Sequence, residues 1–151
     1  MSSTNEIRFV VKYRVPPYIL YNVLTNGEDM SRYTQSPSKF EKKVGGEFSM
    51  YNGAITGTVE KLDEENKKKI ILNWKFSNWP NPALATFTLK EKDGNECQIT
   101  VLIKNCPEVD IYGQRVSFDN VKSGFKTQIF DKIETFCGFP MNRDDESSDE
   151  D

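Results

Sequence analysis

Apolar residues recur along the chain with two different periods, and the change from one to the other organises it. In "IRFVVKYRV", residues 7–15, β-branched and charged residues alternate at short range, which predicts a strand ended by Pro16 and Pro17. Proline suits the first turn of a helix, here carrying Tyr18, Ile19, Leu20, Tyr21 and Val23 to about Thr25. A short second helix or turn follows around Glu28 to Tyr33. "GEFSMYNGAITGTVEKL" then alternates Phe48 and Met50 with Ser49, turns at Asn52-Gly53, and leaves with Ile55, Gly57 and Val59 on one face. Past the turn "EENKKK", Ile70, Leu72, Trp74 and Phe76 share a face opposite Asn73, Lys75 and Ser77. Two more strands flank Asp93-Gly94, with Ala85, Phe87 and Leu89 and then Ile99, Val101 and Ile103 facing inward.

After Gly113 the period lengthens. Phe118, Val121, Phe125, Ile129, Ile133 and Phe136 fall at steps of three and four, predicting an amphipathic helix that closes at Gly138 and Pro140. Lys122, Lys126, Gln128 and Lys132 lie on its other face. An antiparallel sheet bending around this helix satisfies both periods with one core, an α+β, helix-grip arrangement. The expected boundaries are a disordered 1–5, a folded 6–140 and a disordered acidic tail 141–151.

Two tryptophans in "IILNWKFSNWP" separate in phase. Trp74 follows Ile70 and Leu72 into the interior, whereas Trp79 is out of phase and precedes Pro80, so it is expected at the rim of the sheet, either presented to a partner or capping the open end of the core. With Asn78, Lys75 and the basic pair Lys42 and Lys43, it forms the candidate partner-binding set. Phe48, Met50, Trp74, Phe76, Phe87, Phe125 and Ile129 are the expected lining of any cavity between sheet and helix.

Composition narrows the chemistry. The 151 residues contain no histidine, which removes imidazole-dependent nucleophiles, bases and metal ligands. Three cysteines without a CxxC spacing read as reduced thiols, and Cys106 has no histidine to activate it. No cofactor or metal is expected. Six of the 23 carboxylates fall between Asp144 and Asp151, so the remaining 17 face 20 basic residues. That small excess, with aromatics in core phase, argues against nucleic acid. No apolar run reaches membrane length and no signal peptide opens the chain, so a cytoplasmic monomer away from membranes is expected. Ser147 and Ser148 each have an acid three residues on, a pattern of acid-directed phosphorylation.

Five segments, "VPPYILYNVLT", "VGGEFSMYNGAITGTVEKL", "IILNWKFSNWP", "ATFTL" and "GFKTQIFDKIETFCG", resemble in order and spacing the activator of heat-shock-protein-90 ATPase family. The match looks like its carboxy-terminal domain, within the Bet v and START-like superfamily, and nothing in the chain matches the amino-terminal domain. The resemblance implies a helix-grip fold and a co-chaperone that binds the 90-kDa heat-shock chaperone and stimulates its ATPase, in protein folding and the stress response, without being an enzyme. The alternative is a carrier of a hydrophobic small molecule or lipid in a helix-grip cavity, which the large inward side chains oppose. A lyase or cyclase of the same superfamily ranks last, because the inward positions are almost all apolar.

Overall fold

A computed structural model describes residues 6–92 and 95–142. The expected Asp93-Gly94 turn, the 1–5 terminus, Ser147, Ser148 and most of the acidic tail lie outside those residues. Among the described residues seven strands form one antiparallel sheet in the order β1-β7-β6-β5-β4-β3-β2. They are β1 (Glu6–Tyr13), β2 (Lys39–Phe40), β3 (Glu47–Met50), β4 (Ile55–Leu62), β5 (Lys69–Phe76), β6 (Ala83–Lys92) and β7 (Glu96–Lys104). Between β1 and β2 run α1 (Pro17–Leu24) and α2 (Gly27–Thr34). Asn26 starts α2 by accepting the Asp29 amide at 2.9 Å, and Gln35 ends it in the left-handed region. The two-residue β2 escaped prediction because it is too short to show a period.

The long helix is continuous but not uniform. It is built from α3 (Phe118–Phe125), a π-helical turn (Lys126–Phe130) and α4 (Asp131–Cys137), and is closed by Gly138 at φ 76°. The sequence explains the π turn. Val121, Phe125, Ile129 and Ile133 are spaced by successive steps of four, which outrun a period of about 3.6 residues. A wider turn takes up the surplus residue and keeps them on the sheet. The expected stripe is therefore rephased beyond the turn: Phe130 is fully buried and Phe136 is 39% exposed, the reverse of a straight α-helix reading. Two tyrosine hydroxyls fasten this turn, Tyr13 donating to the Phe130 carbonyl and Tyr51 to the Gln128 carbonyl, both at 2.6 Å. Tyr51 and Asn52, with φ of 55° and 56°, are the central residues of the β3–β4 turn, one position earlier than the Asn-Gly motif suggests.

Inward strand positions follow the alternation read from the sequence. Ile70, Leu72 and Trp74 on β5 and Ile99, Val101 and Ile103 on β7 are all buried. Gly57 lies between Phe48 and Trp74 in the strand register, and an added Cβ would sit 1.8 Å from the Asn73 carbonyl oxygen and 2.6 Å from the Phe48 ring. Its missing side chain is what lets those two rings approach to 5.6 Å between centroids.

The folded body also extends slightly past residue 140. Arg14 donates to the Pro140 carbonyl at 2.8 Å, Met141 bridges Tyr13, and the Asn142 amide donates to the Lys12 carbonyl at 2.9 Å. Met141 and Asn142, expected in the tail, are thus held on β1.

Candidate functional site

Beneath the long helix the interior is filled. The void there measures about 10 Å³, room for roughly one water, where sites for drug-sized ligands run to about 300 Å³ or more. Phe48, Met50, Trp74, Phe87 and Ile129 line it, with Leu24 and Tyr33 among their neighbours. Phe76 and Phe125 pack against Trp74, Phe76 edge-on and Phe125 tilted, with ring centroids 6.1 and 4.6 Å away. The Trp74 Nε1 is buried with no acceptor among the described residues. Burial pushes the thiols of Cys97 and Cys106 up, to about 12 and about 11, so both stay protonated near neutrality and neither offers a thiolate nucleophile.

The rim at the far end of β5 differs from the sequence reading. Trp79 is only 3% exposed: its amide donates to the Phe76 carbonyl at 2.9 Å and its ring packs edge-on to Phe76 at 4.9 Å. The alternation argument fails because β5 ends at Phe76 and the chain turns back before Trp79. Trp79 is therefore part of the core, closing its open end, and its place in an exposed partner-binding set is corrected.

What the rim does present is the loop after β7. Asp110 organises it, its Oδ1 accepting the Tyr112 and Gln114 amides at 2.9 Å each and its Oδ2 accepting Asn78 Nδ2 at 3.3 Å. The Ile111 amide donates to the Asn78 carbonyl at 2.9 Å, and Val109 bridges Arg115. Held this way, Val109, Ile111 and Tyr112 are 50, 54 and 74% exposed. Asn78 thus serves as a support for the loop, while Lys75 projects from β5 at a half-buried position. The sequence signal for Ile111 and Tyr112 is faint: two large apolar residues set between an aspartate and a glycine.

Lys42 and Lys43 are exposed but belong to the other end of the strand. The Lys42 and Lys67 ammoniums each lie 5.3 Å from the centroid of the Tyr21 ring, and Lys67 follows the turn at 64–66 and stands two residues before β5. Asn78 follows that strand, and eight residues at about 3.3 Å each separate the two ends by about 26 Å. The predicted partner-binding set is therefore not brought together as one surface. Tyr21 also donates to Glu64 Oε2 at 2.8 Å, and its hydroxyl pKa is raised by burial and then by that carboxylate.

A filled helix-grip core with its accessible features on the outside is the setting for the comparisons with known proteins. The family model described as "Activator of Hsp90 ATPase homolog 1-like protein" matches residues 14–138. The chain belongs to this family. Among relatives of the activator family, the Dictyostelium discoideum "Activator of 90 kDa heat shock protein ATPase homolog" is 26% identical over 132 residues, covering 87% of this chain and 32% of the relative. The human "Activator of 90 kDa heat shock protein ATPase homolog 1" is 34% identical over 92 residues, 61% of this chain and 27% of its own length. This chain thus spans about a third or less of those activators. The crystal structure of an HSP90 activator from Plasmodium falciparum superposes with a TM-score of 0.86 at 25% identity, covering 92% of this chain and 100% of that one.

Proposed function

We propose that this chain is a co-chaperone module that docks on the 90-kDa heat-shock chaperone and raises its ATP turnover, the hydrolysis itself remaining the chaperone's. One observation carries the reading: with a void of only about 10 Å³ between sheet and long helix, a chain of the activator family has its outer surface left to act with. A ligand raises turnover only by binding the hydrolysis-competent state of its target more tightly than the resting one. A rigid surface with exposed aromatic and aliphatic residues suits that task, because little conformational entropy is lost on docking. We assign the docking surface to the rim at the end of β5, with Ile111 and Tyr112 as anchors, Val109 in the same loop, Lys75 on the strand that leads to it, and Asn78 and Trp79 as supports.

On this reading the module works as a cytoplasmic monomer in protein folding and the stress response, without cofactor, nucleic acid or membrane. No helix among the described residues is long and apolar enough to cross a membrane. The deciding experiment adds the purified chain to the chaperone and follows ATP turnover, with a parallel pull-down on chaperone locked in its closed nucleotide state. Retention on the closed form with faster turnover is expected. Absence of both effects would overturn the reading.

A further inference from the structure

The long helix carries a glycine that its own fold does not require. Gly124 lies in α3 one residue before the end, where the helix runs on into the π turn, and its φ is not positive. Glycine weakens a helix interior relative to alanine, so it needs a reason there. At Gly57 the reason is steric, because the Phe48 ring and the Asn73 carbonyl leave no room for a Cβ. At Gly124 an added Cβ would meet nothing within 4 Å beyond its own turn of helix.

The space in front of Gly124 is a cleft of about 270 Å³ between α3 and the loop after β7. Ser117, Asn120 and Gly124, spaced by three and four residues, line it from the helix side. Phe76, Trp79 and Val121 give it an apolar lining. Its two charged residues differ in what they have left to offer. Asp110 already accepts from the Tyr112 and Gln114 amides and from Asn78. Arg115 is exposed and has no ion-pair or side-chain hydrogen-bond partner among the described residues. The uncompensated charge at the cleft is therefore positive, and its complement is a carboxylate.

We propose, resting on the co-chaperone reading for the partner's identity, that this cleft receives one apolar side chain of the chaperone, with a neighbouring carboxylate of the same segment reaching Arg115, and that Gly124 determines specificity by leaving its turn of helix bare. A partner segment lies against a glycine where any other side chain would hold it off, which supplies the reason that the fold itself lacks. The cleft is continuous with the rim, since Arg115 belongs to the loop that exposes Ile111 and Tyr112.

The test combines stability with two kinds of binding. Gly124→Ala should raise the urea midpoint, because the helix gains and nothing is crowded. A lowered midpoint would mean that the fold needs the glycine and would overturn the proposal. Gly124→Leu should keep a midpoint no lower than the parent's while binding nucleotide-closed chaperone about tenfold or more weakly by calorimetry. Arg115→Glu should weaken binding to a similar degree and flatten its dependence on salt. Parent-like affinity in either variant would overturn the proposal and leave the co-chaperone reading standing. Failure of the parent chain itself to bind would instead overturn that reading, and the cleft would be decided by NMR titration with two probes, the N-acetylated, amidated dipeptides of leucine followed by aspartate and of leucine followed by lysine. The aspartyl probe should shift the Asn120 and Gly124 amides of the parent at lower concentration than the lysyl probe, and should leave Asn120 unmoved in Gly124→Leu. Equal shifts from both probes, or none, would overturn the proposal.

Discussion

The two ends of β5 use aromatic and charged residues in opposite ways. Where the strand begins, Lys42 and Lys67 lay their ammoniums over the Tyr21 ring, and the cations shelter an aromatic that is fully buried. Where it ends, Asp110 spends its carboxylate on backbone amides, and the loop so fixed holds Ile111 and Tyr112 out in solvent. The charge-rich end is thus a piece of structure, and the end with a buried tryptophan is the one that exposes large apolar side chains. Exposure of a large side chain is decided by where the backbone is pinned, and much less by whether the neighbourhood is charged.

The sharpest way to break this contrast is at Trp79. Trp79→Ala should lower unfolding free energy by about 3–5 kcal/mol, the cost of emptying a buried aromatic site, seen as an earlier urea midpoint. A midpoint equal to that of the parent chain would restore the ring to the surface. Next in size is Tyr112→Ala, which should leave the unfolding free energy within about 0.5 kcal/mol of the parent while weakening chaperone binding by about tenfold or more, read by calorimetry. Unaltered affinity would remove the rim from the docking surface. Smallest is Lys42→Gln, expected to cost about 0.5–1 kcal/mol of stability through the lost contact with the Tyr21 ring and to leave chaperone affinity unchanged. A large loss of affinity there would mean that the lysine end, and not the Tyr112 loop, meets the partner.

Much of the fold was legible in the sequence because each face of each strand is read from a local period. Ile70, Leu72 and Trp74 show it on β5, and the helix after Gly113 announces itself by the change of step. The misreadings fall where local period loses its authority. Counting from Trp74 to Trp79 assumes one unbroken strand, and the chain turns after Phe76. Steps of four from Val121 to Ile133 look like an ordinary helical stripe, and only the π turn reveals that Phe130 goes in and Phe136 comes out. The candidate site was the least legible. Tyr112 owes its exposure to Asp110, which accepts hydrogen bonds from the amides two and four residues on and from the Asn78 side chain 32 residues away, a partnership no nearby spacing encodes. Lys42 and Lys67 likewise meet only because α1 brings Tyr21 between their two loops.

The π turn has a consequence for how this chain can vary in length. It accommodates a residue more than a straight α-helix would, so losing one position between Lys126 and Phe130 would let the turn relax to ordinary α geometry with Ile133 still on the sheet, whereas the same loss within α3 would swing everything downstream by about 100°. In that second case Ile133 would leave the sheet, and the hydroxyls of Tyr13 and Tyr51 would find other carbonyls in front of them. One-residue deletions should therefore be tolerated best inside the π turn, and a homologue that loses a residue from α3 needs a compensating insertion within the same helix.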